Sequence, residues 1–135
     1  MQLPHKAHVA IVDGERFVLM RNTGTALEPV LSAQDTPEIE LTNYSAGVQH
    51  QDGRGQQAGK QNLDEFAHAA GVAEWLNKAV LGKKISDLFV VADPTTLGEM
   101  RRHYHKQLEG KLVGELAKTL TGEPAERIAA AISAA

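Results

Sequence analysis

The chain has 135 residues, a formal net charge of −3 and no cysteine, which excludes disulfides, thiolate chemistry and cysteine-based zinc sites and leaves no global pull toward nucleic acid or a membrane surface. This length suits one domain, burying roughly two-thirds of its unfolded surface without a staple. Few aromatics (Phe17, Phe66, Phe89, Tyr44, Tyr104 and Trp75) and no long apolar run argue against a base-stacking platform and against membrane insertion.

The opening "MQLPHKAHVAIVDG" lacks the charged start and long apolar core of a signal peptide, so a cytoplasmic location is expected. Residues 8–12, "HVAIV", are continuously apolar, the pattern of a strand covered on both faces. Asp13-Gly14 follows and predicts a two-residue type I′ hairpin. "ERFVLMRN" is the return strand. "TALEPVLSA" is a third strand, and Pro29 points to a sheet edge. Residues 35–61, with five glutamines and four glycines, show no sustained period. Loops of this length are usually functional or disordered.

A helix is predicted from Asn62, whose side chain suits an N-cap, with Glu65 at the capping-box position. Leu63, Phe66, Ala67, Ala70, Ala73, Leu76 and Val80 recur at helical spacing, and Gly82 marks the C-cap. "LFVVA" at 88–92 is a second fully apolar strand. One helix is expected from Pro94 to Gly110, with Leu97, Met100, Tyr104 and Leu108 as its buried stripe. Gly98 in its first turn costs ~1 kcal/mol against alanine, a sign of close helix–sheet packing. "KLVGELAKT" is a fifth strand, and Thr121 caps a last helix with Ile128, Ala129 and Ile132 inward.

The order βββ-loop-αβαβα implies an α/β fold with parallel strands added to an antiparallel meander. A single domain over residues 1–135 is expected. Its mixed five-stranded sheet is ordered 3-2-1-4-5, the ribonuclease H-like arrangement, with flanking helices.

The segments "VAIVDGERF", "GRGQQAG", "FAHAAGVAEWL", "LFVVADPTTLGEMR" and "LAKTLTGEPAERI" together resemble the bacterial host-attachment protein family, described as required for attachment to host cells. "ADPTTLGEMR" and "KTLT" carry the likeness most specifically, although Thr119 stands where that family more often has aspartate. The family in turn is similar to the middle domain of archaeal and eukaryotic class I release factors. There a Gly-Gly-Gln loop between the meander and the first long helix positions water for peptidyl-tRNA hydrolysis. Here Gly53-Arg54-Gly55-Gln56-Gln57 holds that place, and Arg54 interrupts the glycine pair.

Three groups are candidates for function. Gly53, Arg54, Gly55, Gln56 and Gln57 form a binding loop, with Gln56 the catalytic candidate that the resemblance implies. The alternative is a plain glutamine-rich connector. Arg101, Arg102, His105 and Lys106 could hold phosphate or simply be a solvated helix face. Asp13 and Asp93, at the ends of adjacent parallel strands, are where a two-metal nuclease would gather carboxylates. Turn formation and helix capping explain both without a metal, and neither a metal site nor a cofactor is expected. The expected role is a cytoplasmic binding or regulatory protein. The alternative is a translation-linked factor contacting the ribosome or tRNA, possible peptidyl-tRNA hydrolysis included. The partner is therefore an unknown protein or the ribosome and tRNA.

Overall fold

The structure, a computed structural model, describes residues 2–36, 39 and 57–135, the side chains of 57–63 excepted. Nine elements are described in chain order. Strands β1 (His8–Val12), β2 (Phe17–Asn22) and β3 (Leu31–Ala33) precede the long helix α1 (Gln57–Leu81). Then come β4 (Leu88–Ala92), α2 (Pro94–Arg101), α3 (Lys106–Lys111), β5 (Leu112–Ala117) and α4 (Ala125–Ala134).

The five strands form one sheet in the order β3-β2-β1-β4-β5, as the alternation of elements predicts. The meander is antiparallel, while β4 runs parallel to both β1 and β5. The two continuously apolar runs explain the centre of the sheet. In β4 all five residues are buried, and in β1 four of five. A strand covered on both faces has no use for alternation.

Each face has its own core. Ala10, Val12, Leu19, Leu88, Val90 and Ala92 pack against α1, α2 and α3. Val9, Ile11, Phe89 and Val91 pack against Ile128, Ala129 and Ile132 of α4 and against Leu3 from the N-terminal segment. Phe89 is completely buried, so its truncation to alanine should cost about 3–5 kcal/mol. Along α1 a run of small residues, including Ala67, Ala69, Ala70 and Ala73, is buried. Short side chains let a helix axis lie close to a sheet.

Several local expectations are overturned. Helix α1 begins at Gln57, so Asn62 stands inside the helix rather than at its cap, and residues 57–61, expected as loop, are helical. Gly82 has no positive φ. The left-handed residue after α1 is Lys83, at φ 62°. The helix expected over Pro94–Gly110 is two helices, α2 and α3. The buried Asn77 of α1 explains the break: its amide donates to the His103 carbonyl at 2.8 Å and accepts from the His105 N–H at 3.0 Å. Both backbone groups are thereby satisfied outside a helical ladder. Gly98 has open space where a Cβ would stand, so close packing does not account for it.

The amino end of the sheet is tied by Asn22, which is fully buried. Its amide nitrogen donates to the Leu3 carbonyl at 2.9 Å, and its oxygen accepts from Gly24 and Val30 at 2.9 and 3.0 Å. One side chain thus fixes the N-terminal segment and the β2–β3 loop together.

Candidate functional site

The carboxyl ends of β1 and β4 lie side by side, with Val12 paired to Ala92. Asp13 and Asp93 follow those residues directly, as the topology predicts. In open α/β sheets this edge is where ligands usually bind. The two carboxylates have different local roles there. Asp93 caps α2, accepting from the Thr96 N–H at 3.1 Å, with Pro94 in the first turn.

Asp13 organises a larger cluster. Its Oδ1 accepts from the Glu15 and Arg16 N–H groups at 2.7 and 2.6 Å. Its Oδ2 accepts from Arg16 Nε at 3.0 Å and from the Thr121 hydroxyl at 2.6 Å. Arg16 Nη2 in turn donates to Thr121 Oγ1 at 3.0 Å. This cluster replaces the expected type I′ turn: Gly14 has no positive φ, and the Asp13 N–H bonds to the Arg16 carbonyl at 2.9 Å. It also takes Thr121 away from the helix cap, since α4 starts after Pro124 with no side-chain cap. The β1–β2 loop is therefore stapled to the β5–α4 loop. Burial works to raise the Asp13 pKa, but the hydrogen bonds from Thr121, Glu15 and Arg16 outweigh it and hold the carboxyl below its ordinary value.

α1 completes the edge. A Cβ at Gly14 would come within 2.9 Å of Glu65 Cγ, so Glu65 lies over the turn instead of closing a capping box. His68 is buried, and its Nδ1 lies 3.1 Å from the Asp13 carbonyl. A carbonyl only accepts, so Nδ1 carries the proton in that bond. Burial lowers the His68 pKa, while the Asp13 carbonyl and the Asp13 and Glu15 charges pull the other way and lose.

The cations around α2 and α3 are mostly matched by carboxylates. Arg101 grips Glu115 of β5 through Nη2 at 2.8 Å and Nε at 3.1 Å. This bond to Glu115 and its charge raise the Arg101 pKa. Tyr104 donates to the same carboxylate at 3.4 Å. Its phenol is pushed up, first by burial and then by Glu115. Arg102 lies 3.4 Å and His103 2.8 Å from the buried Glu99, and His105 is 3.8 Å from Glu74. Among the described residues Lys106 has no such partner.

Gly53, Arg54, Gly55 and Gln56 lie outside the described residues, and Gln57 opens α1. Among the described residues no group of three or more His, Asp or Glu side chains is arranged to hold a metal, and no helix is long and apolar enough to cross a membrane. Sequence reasoning missed Arg16, His68 and Glu65 at the Asp13 edge. Only the chain fold, which joins positions 13, 68 and 121, could have revealed them.

The family model for bacterial archaeo-eukaryotic release factor family 12 matches residues 6–132. Among curated proteins none matches the chain. A match over nearly the whole length, on a sheet of the expected order, places the chain in that family: it is a member of bacterial archaeo-eukaryotic release factor family 12.

Proposed function

We propose that this member of the release factor family is a translation-linked factor that contacts the ribosome or a tRNA end through the segment ahead of α1. The family match over residues 6–132 carries this reading, because it spans Gly55-Gln56 as well as the folded frame. The Asp13–Asp93 edge does not favour a metal nuclease, since four hydrogen bonds engage the Asp13 carboxylate and Asp93 is a helix cap. An effect on attachment to host cells, which the sequence resemblance implies, would then follow indirectly through altered protein synthesis.

Two measurements test the proposal. The protein should co-sediment with ribosomes in a salt-sensitive manner. Peptide should also be released from stalled ribosome complexes above background. Gly55→Val should abolish release by restricting the backbone, with an unchanged melting temperature. Gln56→Gly should retain part of it if a backbone N–H orients the water. Ribosome binding without release leaves a binding or regulatory module; neither binding nor release discards the proposal.

A further inference from the structure

At the amino end of the sheet, on the α1 face, an open cleft of about 450 Å³ lies between β1, the end of β3 and the second half of α1. That volume falls in the range of small-molecule sites. Leu19, Trp75 and Ile85 form its apolar wall, and His8, Gln34 and Lys84 bring polar groups to it. Phe17 meets the Trp75 ring edge-on, at 5.6 Å and 65° between planes, so the indole is held without a parallel ring stacked on it.

Behind the cleft stand two anomalies. His8 and Arg21 are cross-strand partners, and side chains so paired point to the same face. His8 Nδ1 and Arg21 Nε are both buried with no hydrogen-bond partner. Buried polar atoms of native proteins are nearly always paired, and an exception calls for a missing partner. Burial, and after it the Arg21 charge, lowers the His8 pKa. The lowered pKa favours the neutral imidazole, which donates one hydrogen bond and accepts another. A guanidinium is a hydrogen-bond donor only.

We propose that this cleft binds an anion bearing a flat ring, a nucleotide in the simplest case, either free or at the end of an RNA strand. The indole of Trp75 supplies a wall for one base, which takes a single aromatic and no stacking platform. Lys84 and Arg21 meet the phosphate, Arg21 by a side-chain rotation that relieves its orphaned Nε. His8 and Gln34 hydrogen-bond the ligand's polar edge. Asp35, also on the lining, disfavours a bare anion and suits a ligand that presents ribose hydroxyls or an exocyclic amine beside its charge. The proposal does not depend on whether the segment ahead of α1 releases peptide.

Trp75 is the sole tryptophan, so its fluorescence reports directly on the cleft. The experiment titrates the full chain with nucleoside monophosphates, with the matching nucleosides, with inorganic phosphate and with short RNA oligonucleotides. Calorimetry runs in parallel. A saturable response to nucleotides is expected with a Kd below about 1 mM. It should be at least tenfold weaker in Lys84→Gln and in Arg21→Gln, and unchanged in Arg101→Gln. A tighter response to oligonucleotides than to monomers assigns the source as RNA, and the reverse assigns a free nucleotide. Three results overturn the proposal: no saturable fluorescence change or heat with any nucleotide, equal affinity in the Lys84 and Arg21 variants, or inorganic phosphate binding as well as the nucleotides. Melting curves of each variant separate lost binding from lost folding.

Discussion

At the carboxyl end of β1 the Asp13 carboxylate accepts four hydrogen bonds from Glu15, Arg16 and Thr121, and its carbonyl meets His68. At the amino end of the same strand His8 Nδ1 is buried without a partner, as is Arg21 Nε beside it. The first end sits where a ligand is usually sought in such a sheet, yet its groups mainly hold two loops together. The second carries an energetic defect, because an unsatisfied buried group costs about 1–3 kcal/mol. Saturated polar clusters mark what the fold requires. Unsaturated ones mark what the fold tolerates for another reason.

The sharpest test of this contrast uses glycines at the two ends. A Cβ on Gly24, at the amino end, would stand 2.5 Å from the Glu28 carbonyl oxygen and 2.8 Å from the Val30 nitrogen, both backbone atoms. Gly24→Ala should lower stability by about 3 kcal/mol through overpacking. Gly14→Ala, at the carboxyl end, has its nearest neighbours on the Glu65 side chain, which can swing aside, and should cost under about 1 kcal/mol. Urea midpoints compare the two. Equal losses would mean that Glu65 is a fixed part of the turn.

Asp13→Ala should come next, at about 2 kcal/mol, since it strips the shared acceptor from two loops. Asp13 is partly exposed, so its ionisation adds a smaller, pH-dependent effect. Its folded pKa lies below the ordinary value of 3.8. Its contribution is therefore complete above that value and disappears as pH falls through the lower, folded one. Asp13→Asn should flatten the acid limb of stability in this window. An unchanged limb would show that other carboxylates dominate acid unfolding.

The smallest effect should have the opposite sign. Arg21→Met removes an orphaned donor and keeps the apolar stem, so stability should rise by about 0.5–1 kcal/mol. The same variant should lose nucleotide binding. A destabilised Arg21→Met would show that the guanidinium supports the fold, and the contrast between the ends of β1 would fail.

The sequence makes the sheet legible because its central strands are written locally: "VAIV" after His8 and "LFVVA" are apolar throughout, and alternating βα units dictate parallel neighbours. It hides features set by distant partners. The break between α2 and α3 depends on Asn77, more than twenty residues upstream. The turn at Asp13 follows from Arg16 and Thr121 instead of the Asp-Gly pair. Thr121 reads as a helix cap until Asp13 is known to lie beside it. The sequence does place Asp13 and Asp93 at one sheet edge, but nothing in it says that Asp13 is held by four bonds. His8 reads as the start of a strand, and its orphaned nitrogen emerges only once Arg21 is paired across from it.

The position of β4 has a consequence for how the chain is made. His8 pairs with Leu88, so the central contact of the sheet joins residues about 80 positions apart. The β1–β2 hairpin is synthesised early, yet one flank of β1 stays without its neighbour until β4 emerges. At the usual rates of chain elongation that interval is on the order of ten seconds. During it a strand apolar from Val9 to Val12 offers open backbone groups to any passing edge. Expression yield and aggregation should therefore respond to elongation rate and to chaperone supply more than melting temperature alone suggests, and rare codons between positions 22 and 88 should make nascent-chain aggregation worse.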